Sequence, residues 1–261
     1  GKRFYDELFS LLRIPSVSSD SKHADDMKLC AQRLKELLLE AGANHAEISQ
    51  TDGHPVVYAE KLIDPSLKTI LIYGHYDVQP AEPLEGQSFM HIKAFEYLVR
   101  KGKLRHNIKF ILEGEEEIGS PSLAKWAIEH KEKLACDIIL VSDTTMISEK
   151  IPSINCGMRG LAYMEVKVTG PDKDLHSGHY GGAVANPINV LCTMIDSLID
   201  KDGHITVKGF YDDVVNLTDD EREMFASAPY NHEEYKNFLG VKELKGEPGY
   251  STLERVSIRP S

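Results

Sequence analysis

Residues 69–77 read TILIYGHYD, an apolar run of strand type that ends on His75 and Asp77. Two later segments have the same form: residues 108–117 read IKFILEGEEE, and residues 137–143 read DIILVSD. A short apolar run bounded by polar residues is typical of a buried strand. In an open parallel α/β sheet, residues just past the carboxyl ends of the strands line the ligand crevice. We therefore expect the polar ends of these three segments to meet at one edge of a sheet.

Helical patterns alternate with the strands through the first two-thirds of the chain. Strands are predicted over residues 54–59, 69–73, 108–112 and 137–141, and helices over 22–41, 87–99 and 121–130. Gly42 supplies the C-terminal stop of the first of these helices. This alternation predicts an α/β fold with a mostly parallel sheet and helices on both of its faces.

The pattern changes near Gly157. Residues 161–168 alternate between apolar and polar side chains over most of their length, which predicts a strand with one solvated face. Asn186 and Pro187 then open a helix, and Thr218 begins a capping box that opens another. We predict one domain over residues 1–157 and a smaller α/β domain over residues 158–261.

Composition and charge argue against several classes of partner and location for this protein. The 261 residues carry a formal net charge of −11, which argues against a nucleic-acid or anionic-membrane partner. No apolar run has the length of a membrane span, and residues 1–6 lack the core of a signal peptide. Cys30, Cys136, Cys156 and Cys192 show no CxxC pairing, which favours buried free thiols and a cytoplasmic location.

The three polar strand ends carry chemistry that suits a divalent metal. Asp77 can approach the His75 ring from behind and fix its tautomer, as carboxylates behind metal-ligating histidines do. Among residues 115–117, three adjacent carboxylates repel one another, and a nearby cation would relieve that repulsion. Taken singly, each motif has a simpler explanation: a turn at His75, a solvated acidic loop at 115–117, or an Asx-turn at Asp143. The hypothesis of a metal site rests on all three occurring at the ends of strands.

Four motifs together carry a resemblance to a known family: GHYDVQP at 74–80, EGEEEIGS at 113–120, VSD at 141–143 and LHSG at 175–178, the last followed by Gly181-Gly182. They resemble the zinc metallopeptidase family of dipeptidases, carboxypeptidases and aminoacylases, and are most similar to its carnosinase-like, cytosolic non-specific dipeptidase branch. The resemblance spans most of the chain and implies a zinc-binding catalytic domain followed by a lid and dimerisation domain.

The resemblance also implies roles for individual residues. His75 and Asp143 would ligate one zinc ion and Glu117 a second, with manganese or cobalt as alternative metals. Glu116 would be the general base and later the proton donor to the leaving amine, with Asp77 behind the site. His176 would reach the active site of the other subunit of a homodimer and stabilise the oxyanion. The implied reaction is hydrolysis of the amide bond of dipeptides or similar short peptides.

The chain departs from the family pattern in two places. The family's bridging Asp, shared by both metals, lies in a segment that is absent here, where Glu85 runs directly into Gly86. The family's last zinc ligand is a His in a longer chain, beyond the position of Ser261. Because the sequence on both sides of Glu85-Gly86 fits the family closely, we expect an uninterrupted form of the protein to carry the missing segment. A protein lacking both features would have little or no activity.

Two other functions remain open from the sequence. An N-acyl-amino-acid deacylase of the same family uses the same chemistry, because it also attacks an amide beside a free carboxylate. A non-catalytic homologue would use the second domain for dimerisation or partner binding.

Overall fold

The computed structural model describes residues 2–80, 87–144, 146–147, 150–154 and 159–260. The chain divides into two compact units, Gly1–Asp143 and Thr144–Ser261. The predicted domain boundary at 157/158, Cys156 and the Glu85-Gly86 junction lie outside the described residues. Each unit is considered by itself below.

The first unit is built on a five-stranded sheet in the order β1-β2-β4-β3-β5. Its strands are β1 (His45–Ser49), β2 (Val56–Lys61), β3 (Thr69–His75), β4 (Asn107–Glu113) and β5 (Ile138–Val141). β3 pairs in parallel with both β4 and β5, whereas β2 is antiparallel to β1 and to β4. β2 is thus the only strand of this sheet that runs against the others, and the prediction of a mostly parallel sheet is confirmed.

Helices cover both faces of this sheet, as predicted. They are α1 (Lys2–Leu12), α2 (Ala24–Glu40), α3 (Gln87–Arg100) and α4 (Leu123–Glu129). Because successive strand residues point to opposite faces, Ile72 joins the core formed with α2 and α3, whereas Leu71 packs with Trp126 of α4. The two cores fix the sheet between its helices and so set the position of its strand ends. Sequence patterns missed α1 and β1.

The carboxyl end of β3 is held tightly against α3. A Cβ atom on Gly74 would lie 2.5 Å from the hydroxyl oxygen of Ser88, so only glycine fits at this approach. The Ser88 hydroxyl in turn donates a hydrogen bond of 2.8 Å to the carbonyl oxygen of His75. His75 also lies in register with Glu113 at the end of β4. These contacts place the two strand ends side by side.

Two expectations about apolar segments are wrong. β5 is not buried: Ile138, Ile139, Leu140 and Val141 are 40–61% exposed. It is the last strand of the sheet and pairs with β3. Residues 161–168 form no strand. A strand needs a hydrogen-bonded neighbour, and within the parts of the chain that the structure describes, none pairs with this segment. Leu161 and Tyr163 are accordingly 93% and 92% exposed.

The described part of the second unit contains helices and loops. The helices are α5 (Ser177–Tyr180), α6 (Pro187–Asp196), α7 (Asp219–Ser227), α8 (His232–Leu239) and α9 (Thr252–Ser257). The predicted Asn186 cap and the capping box of Thr218 with Glu221 are both present. A buried ion pair joins Arg259 to Glu247 through two hydrogen bonds of 2.7 and 2.8 Å. Across the described ranges, no helix is long and apolar enough to cross a membrane.

A buried carboxylate joins α1 to α3 in the first unit. Glu96 is 1% exposed and accepts hydrogen bonds from Arg3 at 2.5 Å and from Lys93 at 2.7 Å. Lys93 also pairs with Glu7 of α1. Burial alone would raise the pKa of Glu96, but the bonds from Lys93 and Arg3 outweigh it and lower that pKa below its ordinary value.

We predict that Glu96→Gln lowers the free energy of unfolding by about 2 kcal/mol at neutral pH, because it removes a charge-assisted hydrogen-bond acceptor. A carboxyl whose folded-state pKa is lowered stabilises the protein above its unfolded-state pKa and loses that effect as the pH falls through the folded-state pKa. The difference between wild type and variant should therefore shrink in acid. Urea unfolding at neutral and acidic pH measures it. An equal difference at both pH values would contradict the prediction.

Candidate metal centre

The structure brings four of the predicted site residues together at the carboxyl edge of the sheet. Ligand atoms of His75, Glu116 and Glu117 all lie within 4.8 Å of one another. The Nε2 atom of His75 is 3.7 Å from the Oδ2 atom of Asp143, which follows β5 by two residues. His75 is buried, Glu116 and Glu117 are half-buried, and Asp143 is exposed. The result is an open cluster with an imidazole at its base.

Asp77 anchors this cluster from behind. It is fully buried, and its two carboxylate oxygens accept the backbone N–H groups of Glu116 at 3.2 Å and Glu117 at 3.0 Å. Burial alone would raise the pKa of Asp77, but hydrogen bonds from His75 and from the amide of Glu117 outweigh it and lower that pKa. Asp77 is therefore a carboxylate at neutral pH, and it ties the end of β3 to the loop after β4.

The same carboxylate sets the orientation of the His75 ring. The Nδ1 atom lies 3.2 Å from Oδ1 of Asp77 and 3.2 Å from the carbonyl oxygen of Asp77. Because both neighbours are hydrogen-bond acceptors, Nδ1 carries the hydrogen in the neutral ring and Nε2 presents its lone pair toward Asp143. Metal-ligating histidines are oriented in this way by a carboxylate on the opposite ring nitrogen.

The side chains of the three adjacent glutamates, residues 115–117, point in different directions and have different partners. Glu115 is buried at 3% exposure, and its two oxygens accept the amides of His54 and Ser122, each at 2.9 Å. It fits closely, because a Cβ atom on Gly53 would lie 1.7 Å from Oε1 of Glu115. Glu115 thus serves the loop structure, and only Glu116 and Glu117 are directed to the cluster.

The two glutamates of the cluster differ in their surroundings. Burial raises the pKa of Glu116, and the nearby Asp143 and Glu117 carboxylates raise it further, whereas His75 opposes the shift. Glu117 receives two hydrogen bonds of 2.9 Å from the Gln79 amide, one on its carboxylate and one on its carbonyl oxygen. The Glu116 carboxylate is therefore protonated more readily than an ordinary glutamate, and the Glu117 carboxylate is held in place by Gln79.

Sequence reasoning gave no role to three residues that support the loop. Glu113 is 1% exposed, and its Oε1 accepts hydrogen bonds from the hydroxyls of Tyr73 at 2.5 Å and Ser120 at 3.0 Å. Burial raises the pKa of Glu113 and also that of Tyr73. Their position in the sequence could have indicated this role, because Tyr73 and Glu113 lie near the carboxyl ends of the two strands that carry the motifs.

The remaining predicted site residue, His176, belongs to the second unit. It is exposed and caps α5, where its Nδ1 accepts the amide of Gly178 at 3.0 Å. Its ring centroid is 5.0 Å from that of His179.

The donor set of the cluster fits a zinc ion. Imidazole nitrogen and carboxylate oxygen are both ligands that zinc takes in proteins, and sites with an open position use them for hydrolysis. The concentration of carboxylates around one oriented imidazole also suits a cation electrostatically. The cluster also lies outside the carboxyl ends of the strands, which is where open α/β sheets bind their ligands.

Comparison with known proteins defines the class further. Residues 156–258 match the family model described as the peptidase dimerisation domain. The structure resembles that of the M20 family metallo-carboxypeptidase Sso-CP2 from Sulfolobus solfataricus, with a TM-score of 0.77 and 32% identity, covering 97% of this chain and 62% of that one. The chain therefore has the fold of the M20 metallopeptidases, and its residues 156–258 match the dimerisation domain of that family.

Curated relatives include dipeptidases. The chain is 35% identical to the human Beta-Ala-His dipeptidase over 73% of this chain and 43% of that protein. It is 32% identical to the Cys-Gly metallodipeptidase DUG1 of Candida albicans over 89% of this chain and 56% of that protein. The chain thus spans about half the length of the curated relatives it matches.

The alignment with the Candida protein shows that residues present in this relative are missing from the aligned part of this chain. It runs over 276 positions, more than the 261 residues of this chain, although it takes in only 89% of the chain. The relative therefore carries residues within the aligned region that have no counterpart here.

Because Glu115 supports the loop and Glu117 faces the cluster, we predict that the change to Gln lowers the free energy of unfolding more at Glu115 than at Glu117. Glu115→Gln leaves one oxygen to accept two buried amides, so we expect a loss of about 1–3 kcal/mol of unfolding free energy. Glu117→Gln serves as the matched control, because no backbone amide donates to the Glu117 side chain in the hydrogen bonds described, and its loss should be under about 0.5 kcal/mol. Chemical unfolding in the presence of a chelator compares the two. Equal losses would contradict the assignment.

Proposed function

We propose that the protein is a two-zinc exopeptidase that hydrolyses the amide bond of dipeptides or similar short peptides. The observation that carries the proposal is the approach of His75, Glu116 and Glu117 ligand atoms to within 4.8 Å, with Asp77 oriented behind His75. The dipeptidase relatives support the substrate class, since they are named for Beta-Ala-His and Cys-Gly. A cytoplasmic location belongs to the same proposal. The cysteines within the described residues, Cys30, Cys136 and Cys192, are free thiols, but the expectation that they are buried is wrong for Cys192, which is exposed.

In this proposal His75 and Asp143 hold one zinc ion and Glu117 holds the other. Bound zinc would polarise the scissile carbonyl and lower the pKa of the attacking water. Asp77 keeps the hydrogen of His75 on Nδ1, and Nε2, which faces Asp143, is the proposed ligand atom. Asp77 also holds the amides of Glu116 and Glu117, so the base and one ligand move as a unit.

Glu116 is the proposed general base. Its carboxylate takes the proton of the attacking water and later gives it to the nitrogen of the leaving amine. The raised pKa of Glu116 suits both steps, because an acid–base group works best when its pKa lies nearer the working pH.

His176 is the proposed donor to the oxyanion in the other subunit of a homodimer. The match of residues 156–258 to the peptidase dimerisation domain supports a dimer. We propose residues 1–157 as the zinc-binding part and 158–261 as the lid and dimerisation part. Mixed dimers of His176→Ala and Glu116→Gln subunits test the arrangement, since each dimer retains one intact composite site. Mixed dimers as inactive as the parents would count against it.

Metal content and substrate choice test the proposed function itself. In the uninterrupted form of the protein we expect two zinc ions per chain by elemental analysis, with hydrolysis of free dipeptides such as Beta-Ala-His or Cys-Gly. N-acetyl amino acids should be poor substrates; a preference for them would instead establish the deacylase. A protein that binds no zinc and hydrolyses neither substrate would support the non-catalytic homologue and refute the proposal.

Substitution of Glu116 separates a base from a ligand. We expect Glu116→Gln to reduce kcat by about 10²–10⁴-fold while zinc content is unchanged, because the amide cannot take a proton. Glu117→Ala, which removes the proposed ligand at the neighbouring position, should lower zinc content. Loss of zinc from Glu116→Gln would show that Glu116 is a ligand, and full activity in that variant would exclude it as the base.

A further inference from the structure

The carboxyl group of Glu113 joins three parts of the first unit that meet beside the cluster. Glu113 ends β4, Tyr73 lies near the end of β3, and Ser120 lies in the loop that leads into α4. Both hydroxyls donate to the same oxygen, Oε1 of Glu113, at 2.5 Å from Tyr73 and 3.0 Å from Ser120. We call these three residues the Glu113 clamp. The clamp fixes the loop to two strands at once.

Ser120 is held in an unfavourable backbone conformation. Its φ of +52° makes it the one non-glycine residue with positive φ in the described ranges. Such a conformation costs an L-residue on the order of 1 kcal/mol and persists where surrounding contacts enforce it. The contacts here are the hydroxyl bond to Glu113 and a bond of 2.7 Å from the Ser120 amide to the carbonyl oxygen of Glu115. The clamp therefore determines the path of the loop at this point.

The loop between the two anchors carries the reactive carboxylates. Asp77 holds its beginning through the amides of Glu116 and Glu117. The Glu113 clamp holds its end at Ser120, three residues after Glu117. With both ends fixed, the short 3₁₀ turn Glu116–Ile118 has little freedom to rotate. The directions of the Glu116 and Glu117 side chains follow from that turn.

A role in packing alone does not explain Glu113. Its Oε2 atom is buried and has no hydrogen-bond partner among the residues that the structure describes. Burying a carboxyl oxygen without a partner is unfavourable, and an apolar side chain of similar size would fill the space at lower cost. The carboxyl group of Glu113 is explained by its other oxygen, Oε1, which holds the hydroxyls of Tyr73 and Ser120 in place.

We infer that Glu113, with Tyr73 and Ser120, is a positioning residue for the proposed metal centre, setting the angle at which Glu116 and Glu117 face His75. None of the three clamp residues belongs to the predicted ligand set. The inference rests on the proposed function, because it concerns the geometry of the same site.

The test is the zinc affinity of the purified protein, measured by competition with a chromogenic chelator. The unfolding temperature of the metal-free protein is measured in parallel. Tyr73→Phe removes only the hydroxyl, and we expect a loss of zinc affinity of about tenfold or more, as for other groups that orient ligands. Tyr58→Phe is the matched control: it removes a tyrosine hydroxyl that donates to Glu60 at the same distance of 2.5 Å, on β2 and outside the cluster. Zinc affinity should stay within about twofold of wild type in that variant.

Ser120→Gly separates positioning from stability. Glycine adopts positive φ without strain, so the metal-free protein should unfold at a temperature no lower than that of wild type. The lost hydroxyl should nevertheless reduce zinc affinity. Glu113→Gln keeps an acceptor oxygen for the two hydroxyls and should retain more of the affinity than Glu113→Ala.

The results distinguish this inference from the function on which it rests. Wild-type protein that binds no zinc overturns both. Wild-type protein that binds zinc, with affinities unchanged in Tyr73→Phe and Ser120→Gly, overturns the clamp and leaves the proposed function standing. Affinity that falls equally in Tyr73→Phe and Tyr58→Phe would also overturn it, because the effect would then be general destabilisation.

Discussion

The geometry of the candidate centre depends on one buried carboxylate. Asp77 is fully enclosed, yet it is charged, and it accepts hydrogen bonds from the His75 ring and from two backbone amides. A buried charge is tolerated only when its hydrogen-bonding capacity is met. The same bonds that satisfy Asp77 therefore oblige β3 and the loop after β4 to keep a fixed separation. Removing its charge would release the ring and the loop together.

The carboxylates of this region divide into an inner and an outer set. Asp77, Glu113 and Glu115 are each at most 3% exposed and take up backbone amides, hydroxyls or the imidazole. Glu116, Glu117 and Asp143 are more exposed and face one another, and burial together with these neighbouring carboxylates raises the pKa of Glu116. The inner set stabilises a backbone path that leaves the outer set close together. Like charges held so close favour a cation, and this division gives the proposed zinc site its physical basis.

The sequence predicted much of the first unit because its patterns are strong and local. The helix at Ala24–Glu40, the strands β3 and β4 and their polar ends were all identified from apolar spacing and from Gly42. The failures have non-local causes. Residues 161–168 have a strand pattern, but a strand exists only with a partner, and periodicity does not reveal one. The exposure of β5 likewise depends on its place in the strand order, which its apolar sequence does not encode.

The site was predicted less completely than the fold, for a related reason. Residue type and spacing indicated that His75, Asp77 and the acidic run would meet, but not which of the adjacent glutamates faces inward. That choice is made by partners far along the chain: His54 and Ser122 turn Glu115 away, and Gln79 fixes Glu117. The clamp on Glu113 is a further case, because its two hydroxyl donors come from separate elements. In this fold the proposed ligands are identified from local motifs, whereas the residues proposed to position them are identified only when the strands are placed side by side.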